Sequence, residues 1–142
     1  MVIGDHVMNP NAIELKKILG SAENIVVVGI SDNPGRASFN VASYLKLHQY
    51  RIFPVNPTLE KVLDQKCYSD LNEIVQGIDI VDIFRRSEFV PEIVDKAIEI
   101  GAKCIWMQDG VMDENAAEIA RRAGLDVIMD DCILRQHKAL FS

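Results

Sequence analysis

No apolar run in this 142-residue chain comes near the 18 or so residues that a membrane-spanning helix needs. Basic residues are in deficit, 15 against 21 acidic, for a formal charge of −6. Cysteines number three, with no CxxC pair among them. Each shortage removes a class of function. Without a spanning run, no membrane role is expected. Residues 1–20 hold acidic residues and no hydrophobic segment, so no secretory signal is expected and cytoplasmic residence is the default. An acidic chain lacks the basic face that neutralises nucleic-acid phosphates, which speaks against nucleic-acid binding. Cys67, Cys104 and Cys132 read as buried thiols rather than a disulfide framework. Signatures of catalysis are missing too. There is no HExxH, GxSxG or Walker loop and no cluster of metal ligands, and His6, His48 and His137 are scattered, with His48 expected at an exposed helix end.

What remains is an alternation of short apolar runs with helical patterns. Residues 25–30, 51–55, 79–84 and 103–107 read as strands, with a weaker fifth at 126–129. Pro54 lacks an N–H, so it must sit near a strand end or on a bulge. Helices are expected at about 9–20, after Ser38, from a Ser87 cap to Gly101, from Asp113 to a stop at Gly124, and over 131–140, with a short turn near 70–75. Asp130 and Asp131 are expected to cap the last helix rather than hold a cation. The alternation predicts one α/β domain over residues 1–142, Rossmann-like and three-layered. Its five-stranded, mostly parallel sheet is expected in the order 3-2-1-4-5.

Ligands of such sheets bind outside the carboxyl ends of the strands, so the loops there are the informative residues. The first contains Gly29, Ile30, Ser31, Pro34, Arg36 and Ser38 and opens a helix, where amides and the helix dipole favour phosphate. Arg36 offers a forked charge to a diphosphate. The second is Val55-Asn56-Pro57. It lacks the acid that holds the ribose in a generic NAD site, and its amide suits the reading of an adenine. The third brings Phe84, Arg85, Arg86 and Val90, and the fourth Gln108 and Gly110, suited to lining a channel for an extended, amide-bearing chain.

Taken in order, these stretches resemble the CoA-binding domain family, small single-domain relatives of the CoA-binding domain of the succinyl-CoA synthetase α subunit. The residues that carry the resemblance are Val28-Gly29-Ile30-Ser31 with Pro34, Arg36 and Ser38; Pro54-Val55-Asn56-Pro57; Val81-Asp82-Ile83-Phe84-Arg85-Arg86; Trp106-Met107-Gln108 with Gly110-Val111; and Ala123-Gly124-Leu125 through Met129-Asp130 to Cys132 and His137. The resemblance implies coenzyme A or an acyl-CoA as ligand. Its nucleotide would lie over the first loop, its adenine near the end of the second strand, and its pantetheine arm past the third and fourth loops. It implies no reaction, because the synthetase's phosphorylated histidine belongs to another domain. The chain departs from the family pattern at Gln49, where glycine is common, at Asp131, where arginine is usual, and at Gln136, where glutamate is common. The leading expectation is non-catalytic binding of coenzyme A. The alternatives are a nucleotide-dependent enzyme (an NAD-dependent reductase or a CoA-ligase component) and a protein-interaction scaffold with a vestigial pocket. As partners, the sequence leaves room for a second copy in a homodimer or for another subunit.

Overall fold

The computed structural model describes residues 9–142, so His6 lies outside the described residues. Among the described residues seven strands form: β1 (Asn24–Val28), β2 (Arg51–Val55), β3 (Lys61–Val62), β4 (Gln65–Lys66), β5 (Ile80–Ile83), β6 (Cys104–Met107) and β7 (Asp126–Ile128). They alternate with α1 (Ala12–Ser21), α2 (Ala37–Leu47), α3 (Val90–Glu99), α4 (Glu114–Arg122) and α5 (Ile133–Phe141). β3 and β4 make a small antiparallel hairpin, and the other five strands form one parallel sheet. β-branched residues fill the central strands because helices cover both sheet faces. Val26, Val81 and Ile105 pack under α3 and α4, through Ile93, Val94 and Ala117. Ile25, Val27, Ile80 and Trp106 pack under α1, α2 and α5, through Leu15, Leu19, Val41, Leu45 and Ile133. Each fully buried aliphatic side chain of this kind contributes about 1.5–3 kcal/mol. The result is a three-layer, Rossmann-like α/β architecture. No helix among the described residues is long and apolar enough to cross a membrane.

The sheet order corrects the expectation of 3-2-1-4-5. It runs β2-β1-β5-β6-β7, so the third long strand pairs with β1 instead of flanking β2. Pro54 supplies the physical reason. Arg51 N–H donates to Glu23 O and Gly29 N–H to Val55 O, so residues 51, 53 and 55 turn their backbone groups toward β1. Ile52 and Pro54 therefore face the outer edge, where Gln65 Nε2 donates to Ile52 O at 2.7 Å and Tyr68 N–H to Pro54 O at 2.8 Å. A further strand there would need a donor that proline lacks, whereas an edge tolerates its absence.

Two helix-start expectations also change. Ser87 does not cap α3. It opens a 3-10 turn (Ser87–Phe89), and its hydroxyl accepts Met112 N–H at 2.9 Å. Neither Asp130 nor Asp131 is the N-cap of α5, which is Cys132. Asp130 instead accepts Gly110 N–H at 2.7 Å, and Asp131 accepts from Arg135 and Gln136 at 2.8 and 2.9 Å. Asp131 and Gln136, two departures from the family pattern, are thus partners of each other.

Candidate functional site

In the observed order the chain leaves β1 for β2 on one side, and β5 lies on the other. The topological switch point is therefore the crevice between the carboxyl ends of β1 and β5. The loops after these strands, which the expected order would have held apart, touch. Gly29 has φ +85°, and a Cβ built on it would lie 2.8 Å from Arg85 Cδ and 2.9 Å from the Phe84 carbonyl oxygen. Only a residue without a side chain lets the two loops close up here.

Internal bonds fix the first loop. Ser31 N–H donates to Ser38 Oγ at 2.9 Å, Asn33 N–H to Ser31 Oγ at 3.0 Å, and Gly35 N–H to Asn33 Oδ1 at 2.8 Å. Ser38 is buried and serves this scaffold. Pro34 and Arg36 stay exposed. Arg36 is the N-cap residue of α2 but makes no side-chain capping bond, so the amides of the first helical turn lack a side-chain acceptor. An uncapped helix start beside a guanidinium that meets no partner among the described residues is an arrangement suited to an anion.

The second loop braces the first. Asn56 Nδ2 donates to Ile30 O at 2.7 Å, while Asn56 Oδ1 accepts from Thr58 N–H and Oγ1–H at 2.9 and 2.8 Å. Its amide oxygen and one N–H of its nitrogen are engaged in positioning. Ile30 and Val55 are core residues. Pro57 joins Val28, Val55 and Arg85 around a hollow of about 140 Å³ on the α3 side of the crevice.

The two arginines separate. Arg85 packs its guanidinium 4.2 Å from the Phe89 ring centre and lines that hollow. Arg86 points outward, 79% exposed at its side chain and 3.8 Å from Glu88. Val90, the first residue of α3, is fully buried and offers no surface to a ligand. Phe84 and Gln108 meet on the opposite, α2 side of the crevice, around a second hollow of about 180 Å³. Gly110, at φ +82°, turns the chain just beyond them. A larger depression of about 260 Å³ lies at the amino ends of β5, β6 and β7, away from these loops.

Several chemically notable residues lay outside the sequence expectations. Asp82, at the centre of β5, is completely buried, and neither of its carboxylate oxygens meets a hydrogen-bond partner. Burial pushes its pKa well up. Asp109 is clamped by Arg135 through two bonds of 3.0 and 2.8 Å, which hold its carboxyl below the usual range. His48 and His137 are not scattered: their ring centres lie 4.9 Å apart, and Tyr44 Oη is 2.7 Å from His137 Nδ1. That cluster sits near the carboxyl end of α2, a helix length from the crevice. Burial raises the thiol pKa of Cys67, and that of Cys104 strongly, which leaves both poor nucleophiles.

Comparison with known proteins agrees with this geometry. A family model described as a CoA binding domain matches residues 23–138. The uncharacterized protein YneT of Bacillus subtilis is 42% identical over 129 residues, covering 91% of this chain and 96% of that protein. An ADP-forming acetate–CoA ligase of Archaeoglobus fulgidus is 30% identical over 105 residues, 70% of this chain but only 16% of the ligase. A solved structure of a hypothetical protein from Pyrococcus horikoshii superposes with a TM-score of 0.92 at 33% identity, covering 100% of both chains.

Proposed function

Since the chain belongs to the CoA-binding domain family, we propose that it binds coenzyme A or an acyl-CoA, without catalysis, in the crevice between β1 and β5. The observation that carries this reading is the uncapped start of α2 beside the unpartnered Arg36. The amides of the first turn of α2 and the exposed Arg36 side chain belong to one helix start, where a diphosphate could take up both. Arg85 stands across the crevice, and Gly29 lets its loop approach. Ile30, Ser31, Pro34 and Ser38 shape the phosphate loop, while Asn56 and Val55 hold the floor beneath it. The chain corresponds to 16% of the related ligase, so we carry over the ligand alone. The absence of an acid at the end of β2, with Asn56 engaged internally, favours coenzyme A over NAD. We take residues 1–142 as one binding module.

Isothermal calorimetry of coenzyme A binding tests the reading. Arg36→Ala should weaken binding by about 10- to 100-fold, the loss of a hydrogen bond to a charged group. Arg86→Ala should change it less than threefold, because that side chain faces away. Equal effects of the two substitutions would count against the assignment.

A further inference from the structure

We propose that the contact of His137 with Tyr44 and His48 is an acid-sensitive latch, which docks the last helix, α5, on α2 at neutral pH and releases it as the pH falls. The latch goes beyond the coenzyme A reading and does not depend on it.

Little else holds α5 down. Of its nine residues, Ile133 and His137 are the buried ones. Ile133, at 0% exposure, fixes the first turn, and His137, at 6%, fixes the next. A helix shorter than about 12–15 residues is marginal in water on its own. Loss of the second anchor therefore lets the outer turns unwind. That anchor is an ionisable side chain.

The socket suits an uncharged ring. Tyr44 Oη lies 2.7 Å from His137 Nδ1. The Tyr50 ring meets the imidazole edge-on with centres 5.7 Å apart, and the Phe141 ring stacks on it at 4.7 Å. Most of the charge around this cluster is cationic. From α2 comes His48, its ring centre 4.9 Å away. Lys138 of α5 lies 5.7 Å from the centre of the Tyr44 ring, and Lys16 of α1 lies 5.7 Å from that of Phe141. Glu23 lines a shallow depression with His48 and Phe141 but forms no ion pair with either histidine among the described residues. A proton on His137 thus enters a buried place beside like charge. Burial and His48 accordingly hold its pKa below the ordinary value. Protonation also constrains the bond to Tyr44, because Nδ1 of a neutral ring can accept the hydroxyl proton whereas an imidazolium nitrogen can only donate.

The direction of the pH effect follows. His137 titrates lower in the docked helix than in the released one, where the ordinary value of 6.5 applies. As the pH falls below 6.5, the released form takes up a proton that the docked form refuses, so docking weakens until the docked form is protonated too. The first turn of α5 borders the crevice. Ile133 N–H donates to Gln108 Oε1 at 3.1 Å, Arg135 clamps Asp109, and Cys132 shares a wall with Ala37 and Val41 of α2. The latch therefore ties the crevice wall to acidity.

Amide hydrogen exchange of the ligand-free protein, read as protection factors on both sides of pH 6.5, tests this. Amides of residues 137–141 should lose protection about three- to tenfold per pH unit below that value. They should also be less protected than those of β5 at every pH. His137→Gln keeps an amide for Tyr44 and cannot ionise, so its α5 profile should be flat. His48→Ala, at an exposed position, removes the like charge and should make the decline shallower, which decides the matter if His137→Gln fails to fold. A wild-type profile independent of pH, the same decline in the variants, or α5 amides as protected as those of β5 would overturn the latch. Failure of coenzyme A to bind would sink the coenzyme A reading and leave these outcomes untouched.

Discussion

Replacing Gly29 with alanine should cost about 2–5 kcal/mol of stability, lower Tm by roughly 10 °C and remove most coenzyme A binding. Two penalties add. A side chain at φ +85° is strained, at about 1–3 kcal/mol. The new methyl would also meet Arg85 Cδ at 2.8 Å and the Phe84 carbonyl at 2.9 Å. The carbonyl belongs to the backbone and cannot rotate aside, so β1 and β5 must part at the crevice mouth. Gly124→Ala separates the two penalties. Gly124 has a similar φ, +95°, but a methyl placed there would meet nothing within 4 Å. That variant should lose only the strain and keep its ligand affinity. Thermal unfolding and calorimetry on the pair check this, and equal losses would place the importance of Gly29 in conformation alone.

The second large effect concerns Asp82 and depends on pH. Its carboxyl is buried without a partner, so its pKa in the folded protein is raised above that of the unfolded chain. Between those two values the folded form retains a proton that the unfolded form releases. The stability linked to that proton is fully present below the unfolded value, about 3.9, and is lost as pH rises toward the folded one, by about 1.4 kcal/mol per pH unit. Asp82→Asn has the same shape and nothing to ionise. Its stability relative to wild type should therefore improve as pH rises above the unfolded value, in urea unfolding at constant ionic strength. Parallel pH profiles would show that Asp82 titrates alike in the folded and the unfolded chain, against this account. The comparison cancels other carboxylates, such as Asp109, whose lowered pKa acts in the opposite direction.

The apolar runs located all five long strands because strands buried on both faces leave few polar residues to confuse the period. The order of those strands was the main error, although Pro54 held the answer. A missing donor within β2 is tolerable at an edge, and the expected order placed β2 between two neighbours. That error also hid the contact between Gly29 and Arg85, since the expected order separated their loops. Arg85 and Arg86 are indistinguishable as a pair in sequence. The 3-10 turn at Ser87–Phe89 sets both near the Phe89 ring but gives the crevice to Arg85 and leaves Arg86 largely to solvent. Asn56 was legible as a loop residue, but its bond to Ile30 spans 26 positions and leaves no local trace. Val90 was drawn into the ligand set by its neighbours and is instead core. Gln49, where the resemblance led to an expectation of glycine, does adopt φ +78°, a conformation that favours glycine.

Coenzyme A binding in this crevice depends most on the loop after β1 gripping the diphosphate. Titrating the 15N-labelled protein with coenzyme A and following its amide resonances tests that directly. Large shifts should appear at Ile30, Asp32, Arg36 and Ala37, with smaller ones at Arg85 and Gln108. Shifts confined to the depression at the amino ends of β5, β6 and β7, or none at saturating coenzyme A, would contradict it.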